Sequence, residues 1–197
     1  MFSGIVADVG HIAAVTERDG GLRVEIATNT LDLSDVQLGD SIAVNGACLT
    51  VIARAANSFT VEVSRETLNC TVGLEQKDLP VNLEKSMRLG DRLDGHLVSG
   101  HVDGVGEVNE FANLGESWKL LVNAPQALAK FIATKGSITI NGVSLTVNEV
   151  SGAEFSVNLI PHTLAMTNLK NLRAGSRVNL EVDLIARYVE RMMRTGI

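Results

Sequence analysis

The sequence predicts an all-β protein with short helices: two tandem, similar barrels and a C-terminal α-helix. Three observations carry this. First, the chain repeats itself at a constant offset. Ser3-Gly4 returns as Ser99-Gly100, Val9-Gly10 as Val105-Gly106, Asn45-Gly46 as Asn141-Gly142, and Leu49-Thr50-Val51 as Leu145-Thr146-Val147. After one inserted residue, Val81-Asn82-Leu83-Glu84 returns as Val178-Asn179-Leu180-Glu181. Solenoid units run about 20–50 residues, so a period this long is a duplicated domain. Second, each half is a series of short Val- and Ile-rich runs broken by turn residues, which suits a small closed barrel. Third, Leu184, Ile185, Tyr188, Val189, Met192 and Met193 recur with helical spacing and make one apolar face.

Taken in order, residues 21–28, 41–44, 49–53 and 58–63 read as strands. Phe59-Thr60-Val61-Glu62-Val63 alternates apolar and polar, the pattern of a half-buried strand. Asn45-Gly46 and Asn141-Gly142 each stand between two such runs. Asn-Gly is the strongest short hairpin signal, because a tight primed turn needs positive φ at both central residues. Each half then holds about six strands, and closure into a barrel removes exposed sheet edges. Short helices interrupt the pattern at 125–132, opened by Pro125, with 30–36 as the counterpart in the first half. A second pair is expected at 65–71 and 162–168. The last helix has only about three turns and is marginal alone. It must dock on its own barrels or on another subunit, and the subunit contact fits better because closed barrels need no extra helix. The bridge at 89–97 is short and lacks Ser and Pro, so it joins packed barrels stiffly.

The chain has 197 residues, a net charge of −6 and seven aromatics, the sum of one Trp, one Tyr and five Phe. That balance argues against a nucleic-acid surface, which needs a basic stripe. No apolar run approaches the ~18 residues of a membrane span. Met1-Phe2-Ser3-Gly4 has neither the charged nor the apolar region of a signal peptide, and Cys48 and Cys70 make no disulfide framework. The expected compartment is the reducing cytoplasm. His96 and His101 are not at the spacing of a helical zinc pair, and no cysteine pair has zinc spacing, so no metal is expected. The glycine-rich stretch 95–106 matches neither the phosphate-binding loop nor the dinucleotide fingerprint.

The informative positions are those where the copies disagree. Ile5 corresponds to His101, Cys48 to Ser144, and Arg65-Glu66 to Pro161-His162. Two equivalent pockets with unequal polar groups would bind one ligand twice and treat the copies differently. Each candidate also has a plainer reading. Cys48 could be a small core residue, and His101 a structural residue on a strand. Asp183 could be a helix N-cap, and Thr50 and Thr146 simply β-formers. His162 could flank a short helix, and Lys135 could be a loop charge.

Several motifs, in order and in register, resemble the riboflavin synthase alpha-chain family. They are Met1-Phe2-Ser3-Gly4-Ile5-Val6, Asn45-Gly46-Ala47-Cys48-Leu49-Thr50-Val51, Gly95-His96-Leu97-Val98-Ser99-Gly100-His101-Val102-Asp103-Gly104, Lys135-Gly136-Ser137, Gly142-Val143-Ser144-Leu145-Thr146-Val147 and Leu159-Ile160-Pro161-His162-Thr163. The resemblance covers essentially the whole chain. It implies two six-stranded Greek-key barrels, residues 1–96 and 97–186, each binding one lumazine, and an oligomerisation helix at 187–197. It implies a homotrimer whose active sites lie between subunits, with lumazine synthase as a further partner. It implies a dismutation of two 6,7-dimethyl-8-ribityllumazine molecules by four-carbon transfer, giving riboflavin and 5-amino-6-ribitylamino-2,4(1H,3H)-pyrimidinedione, with no cofactor. The alternative within the same fold is an antenna protein that binds a lumazine or flavin without transfer.

The same resemblance implies a first pocket lined by Gly4, Ile5, Val6, Cys48, Leu49, Thr50, Glu62, Val63, Ser64, Arg65, Glu66 and Thr67, with Phe2 packed beside it. It implies a second pocket lined by Gly100, His101, Val102, Lys135, Ser144, Leu145, Thr146, Asn158, Leu159, Ile160, Pro161, His162 and Thr163. Proton handling would fall to His101, Cys48, Ser41 and Asp183. The chain departs from the family pattern at Asp94-Gly95-His96, where Gly-Gly-His is usual, and at Lys77-Asp78-Leu79-Pro80, which lacks a Gly-Asp turn. Both bear on local loop shape.

Overall fold

The computed structural model describes residues 1–194, so the last residues of the expected terminal helix, 195–197, lie outside the described residues. The first half contains β1 (Asp8–Arg18), β2 (Gly21–Ala27), β3 (Ser41–Val44), β4 (Ala47–Arg54), β5 (Ser58–Ser64), α1 (Arg65–Cys70) and β6 (Pro80–Lys85). The second contains β7 (Gly104–Asn113), β8 (Trp118–Asn123), β9 (Ser137–Ile140), β10 (Val143–Ser151), β11 (Glu154–Leu159), α2 (Pro161–Met166) and β12 (Arg177–Val182). Helix α3 (Leu184–Arg194) follows. The strands close into two antiparallel barrels, in spatial order β1-β2-β5-β4-β3-β6 and β7-β8-β11-β10-β9-β12. The second order is the first with six added to every strand number, and in both the fifth strand lies beside the second, so the chain crosses the barrel between its second and third strands.

The duplication extends to the irregularities. Register shifts fall between Ile12 and Ala14 and between Val51 and Ala53 in the first barrel, and between Val108 and Glu110 and between Val147 and Glu149 in the second. Bulges bend and twist a strand, and a small barrel needs that curvature. Each barrel has its own apolar core, built on Ile12, Ile26, Phe59 and Leu83 in one and on Leu120, Ile138, Phe155 and Leu180 in the other.

The barrels meet at their equivalent hairpins. Asn45 and Gly46 have φ of +47° and +83°, and Asn141 and Gly142 have +48° and +80°, as primed turns require. The two turns lie back to back. A Cβ on Gly46 would stand 2.8 Å from the Gly142 nitrogen, and one on Gly142 would stand 2.8 Å from the Gly46 nitrogen. Four buried asparagines surround the contact. Asn82 donates its backbone N–H to Asn45 Oδ1 and its amide to the Asn141 carbonyl. Asn179 repeats this on Asn141 Oδ1 and the Asn45 carbonyl. Buried amides are costly unless bonded, so this arrangement fixes one barrel against the other.

Two helix expectations change. Residues 30–36 form no helix. The Asp8 carboxylate accepts the backbone N–H groups of Asn29, Thr30 and Leu31, and Ser34 N–H turns back onto Asp32 Oδ1. The first three N–H groups would have no partner inside a helix either, but a helix would bond Ser34 N–H to the Thr30 carbonyl, and here Asp32 takes it while Val36 N–H closes a short turn onto the Leu33 carbonyl. The segment 125–132 is a 3-10 helix at Gln126–Phe131, with Pro125 as its N-cap. By contrast α1 and α2 form near the expected places, α2 with Pro161 in its first turn.

Candidate functional site

Each half begins with an extended segment that lies on the other half's barrel. Ser144 N–H, on β10, donates to the Gly4 carbonyl at 2.8 Å, and Cys48 N–H, on β4, donates to the Gly100 carbonyl at 2.8 Å. Gly4 and Gly100 have φ of +78° and +77°, and a Cβ on either would meet Ser144 Cβ at 2.6 Å or Cys48 Cβ at 2.7 Å. Only glycine lets the segments pass this close. A buried carboxylate clasps each segment from its own barrel. Glu84 accepts Ser3 N–H (2.7 Å), the Ser3 hydroxyl (2.8 Å) and Gly4 N–H (3.0 Å). Glu181 accepts the same three groups from Ser99 and Gly100 at 2.7, 2.6 and 2.9 Å. Burial pushes both carboxyls above their ordinary pKa, against the lowering effect of these donors.

The crossing regroups the expected site. A cavity of about 230 Å³ in the first barrel is lined by Cys48, Glu66, Thr67, Cys70, Gly100 and His101, with Val102 beside them. Gly100, His101 and Val102 therefore join the first pocket, not the second. Val102 packs on the first core, while Val6 packs on the second core together with Leu145. Gly4, with its neighbours Ile5 and Val6, belongs with Ser144. His101 is exposed and precedes β7, so it is not a strand residue. The offset identifies which residues are equivalent, but not which barrel an extended segment covers.

Other expected residues sort by strand alternation. Leu49, Val63 and Leu159 are buried in the barrel cores, so their side chains do not line a site. Thr50, Glu62, Ser64, Arg65, Thr146, Asn158, Ile160, Pro161 and His162 are exposed, and Thr163 is half-buried. Glu62 pairs with Arg23 at 2.9 Å. Ser64 caps α1 by accepting from Thr67 N–H at 3.1 Å. Lys135 sits at φ +65° in the tight turn before β9, as Asp78 does at +67° before β6. Phe2 is fully buried with Ala43 and Val98, against Cys48.

The four residues expected to handle protons do not converge. His101 and Cys48 share the first pocket. Ser41 lines a separate groove of about 560 Å³ with Ile5, Lys85 and Arg88. Asp183 accepts from Ile185 N–H at 2.9 Å and caps α3. Sequence reasoning missed Cys70 and Thr71, which stand one helical turn after Glu66 and Thr67 and line the same cavity. Burial first, then the Glu66 carboxylate, raises the Cys70 thiol above its ordinary pKa. Glu84 and Glu181 were also missed, yet the repeat carries both. His96 is not at zinc-pair spacing from His101. It is buried, with Nδ1 2.7 Å from Ser144 Oγ.

Comparison with known proteins follows the duplication. A model described as "Lumazine binding domain" matches residues 3–86 and again 99–183. The chain belongs to the lumazine-binding-domain family. Among curated members of that family it is 45% identical over 194 residues to riboflavin synthase of Photobacterium phosphoreum, covering 98% of this chain and 89% of the relative. It is 43% identical over 203 residues to riboflavin synthase of Mycobacterium tuberculosis (strain ATCC 25618 / H37Rv), covering both fully. Solved structures share the fold. LumP complexed with riboflavin superposes with a TM-score of 0.85 at 29% identity, covering 92% of this chain and 99% of that one. LumP complexed with 6,7-dimethyl-8-(1'-D-ribityl) lumazine gives 0.81 at 27%, with the same coverage.

Proposed function

We propose that the chain is a riboflavin synthase, a transferase acting in the cytoplasm. It takes two molecules of 6,7-dimethyl-8-ribityllumazine and moves a four-carbon unit from one to the other, leaving riboflavin and the pyrimidinedione. The observation that carries the reading is the pair of equivalent but chemically unequal sites. The first barrel presents Cys48 and His101; the second presents Ser144 and Ile5 at the same places. One ligand bound twice can then act once as donor and once as acceptor. Relatives 43% and 45% identical over nearly the whole chain carry the name riboflavin synthase, which favours transfer over an antenna role.

Each barrel, within 1–96 or 97–186, forms one lumazine site together with the extended segment of the other half that crosses onto it. The chemistry asks for little beyond positioning and proton transfer. The lumazine C7 methyl is acidic because its carbanion delocalises into the ring, and the partner ring accepts a nucleophile at C7. Holding two flat rings in register supplies much of the rate. His101 is the first choice for moving the proton and Cys48 the second, both within reach of one cavity.

Ser41 and Asp183 lie away from that cavity, and Asp183 stands near His96 at the second barrel, so joining them to Cys48 and His101 requires a second subunit. A homotrimer, with the first barrel of one chain facing the second barrel of its neighbour, provides it. The region 187–197 is the oligomerisation element in this reading. Helix α3 supports it, because its face of Ile185, Tyr188, Val189, Met192 and Met193 is exposed on the single chain.

The experiment is to mix the purified chain with 6,7-dimethyl-8-ribityllumazine alone and follow flavin absorbance and substrate loss together. Two lumazines consumed per riboflavin formed is the expected result. Tight binding with no flavin would make the chain an antenna or storage protein.

A further inference from the structure

A buried histidine that the proposed reaction has not used faces the second barrel. His96 lies at the end of the bridge between the halves and is 9% exposed. Its backbone N–H donates to the Ser3 carbonyl at 3.1 Å. Its Nδ1 is 2.7 Å from the Ser144 hydroxyl, and its Nε2 is buried with no hydrogen-bond partner among the described residues. Gly95 makes the approach possible, since a Cβ there would meet the Ser3 carbonyl at 2.1 Å and Ser144 Oγ at 3.0 Å. The departure at Asp94 therefore leaves intact the glycine that the packing requires. Burial lowers the His96 pKa below its ordinary value, against the raising effect of the Asp183 carboxylate, so the ring is neutral near pH 7.

A free serine hydroxyl rotates and can donate or accept in many directions. A hydroxyl locked to a buried imidazole cannot. Ser144 is also fixed from behind by its N–H bond to the Gly4 carbonyl. Ser144 is thus held at two points, its backbone by Gly4 and its Oγ by His96, on the strand that faces the crossing segment Gly4–Val6. A polar group ordered before binding loses less freedom when it binds.

We propose that His96 is a positioning residue of the second-barrel site, fixing the Ser144 hydroxyl so that it meets the polar edge of a lumazine-type heterocycle in one orientation. The inference rests on the lumazine-binding reading above. It makes Ser144 an orienting group for one of the two ligands, where the first barrel has a cysteine.

The test is a double-mutant cycle with H96A, S144A and H96A/S144A, with H96N as the conservative variant. Dissociation constants for 6,7-dimethyl-8-ribityllumazine and for riboflavin are measured by fluorescence titration, and KM and kcat where turnover occurs. His96→Ala and Ser144→Ala should each weaken lumazine binding about fivefold to thirtyfold, the worth of one buried hydrogen bond. The double variant should be no weaker than S144A. His96→Asn, which keeps a hydrogen-bonding group near Nδ1, should restore most of the loss. Multiplying losses in H96A/S144A, or a folded H96N as weak as H96A, would overturn the proposal. Should H96A fail to fold, H96N against S144A/H96N decides by the same criterion. A wild type that binds lumazine but forms no flavin removes the synthase reading and leaves this cycle to be read in binding alone. A wild type that binds no lumazine overturns both.

Discussion

Cys48 N–H donates to the carbonyl of Gly100 at 2.8 Å, a bond between the first barrel and the opening segment of the second half. It places His101, the next residue, in the pocket that Cys48 lines. Neither half therefore owns its site. His101→Ala removes an exposed side chain that no core depends on, so the fold should persist while turnover falls sharply. Unchanged turnover in a variant with the wild-type melting temperature would take His101 out of the mechanism.

Gly100→Ala tests the crossing itself. The new Cβ would strike Cys48 Cβ and would sit on a backbone at φ +77°. A strain of about 1–3 kcal/mol is expected in urea unfolding, with loss of lumazine binding at the first site. Gly20→Ala is the control: its φ is also positive, at +81°, but a Cβ there meets nothing within 4 Å. Equal losses at the two positions would show that left-handed backbone alone, not the close approach, sets the cost.

These relationships divide what sequence could and could not show. The strands, the Asn-Gly hairpins and the repeat are local or periodic features, and each was legible because its cause lies within a few residues. The segment 30–36 forms no helix, because Asp32 takes the Ser34 N–H that a helix would use and Asp8, more than twenty residues away, holds residues 29–31 against β1. His101 was assigned to the wrong pocket for the same reason: a segment without its own hydrogen-bonded partner strand can lie on either barrel. Glu84 and Glu181 were visible as a repeated pair, each at the end of the same four-residue motif. Their role appears only when Ser3 and Ser99 fold back onto them.

The inter-barrel asparagines should carry stability out of proportion to their size. Asn179→Ala leaves the Asn45 carbonyl and Val72 N–H without the partners they have in the fold. Each buried group so exposed costs about 1–3 kcal/mol. Asn82→Ala should cost a similar amount, because Asn168 N–H and the Asn141 carbonyl lose the corresponding bonds. Urea midpoints within error of wild type for both variants would show that the barrels are held by packing instead.

Acid stability should depend on Asp8. Burial raises its carboxyl, but the N–H groups of Asn29, Leu31 and Thr30 together bring it below the ordinary value of 3.8. A depressed folded pKa means stability present above 3.8 and lost as pH falls below it. Glu84 and Glu181 act in a different window: their raised folded pKa means stability lost as pH rises from 4.5 through the folded value. Asp8→Asn should thus lower the melting temperature at neutral pH and flatten its fall below 3.8. A variant whose melting curve still falls as steeply there as wild type would clear Asp8 of the effect.

Helix α3 offers the sharpest test of assembly. It is tied to its own barrel through polar side chains: Arg187 donates to Asp103 at 2.7 and 2.9 Å, and Glu190 pairs with Lys130 at 2.5 Å and with Arg194. Its apolar face is left outward, with Tyr188 63% and Met193 79% exposed. Contiguous exposed apolar faces of this kind mark contact surfaces. Ending the chain after Arg187 keeps the Asp103 pair and removes Tyr188, Val189, Met192 and Met193. Light scattering should then report monomers with little synthase activity, while the full chain gives trimers. Tyr188→Glu, which leaves the helix and its ion pairs in place, should act in the same direction. Trimers that survive both changes would mean that the barrels themselves form the subunit contact and that α3 faces another partner.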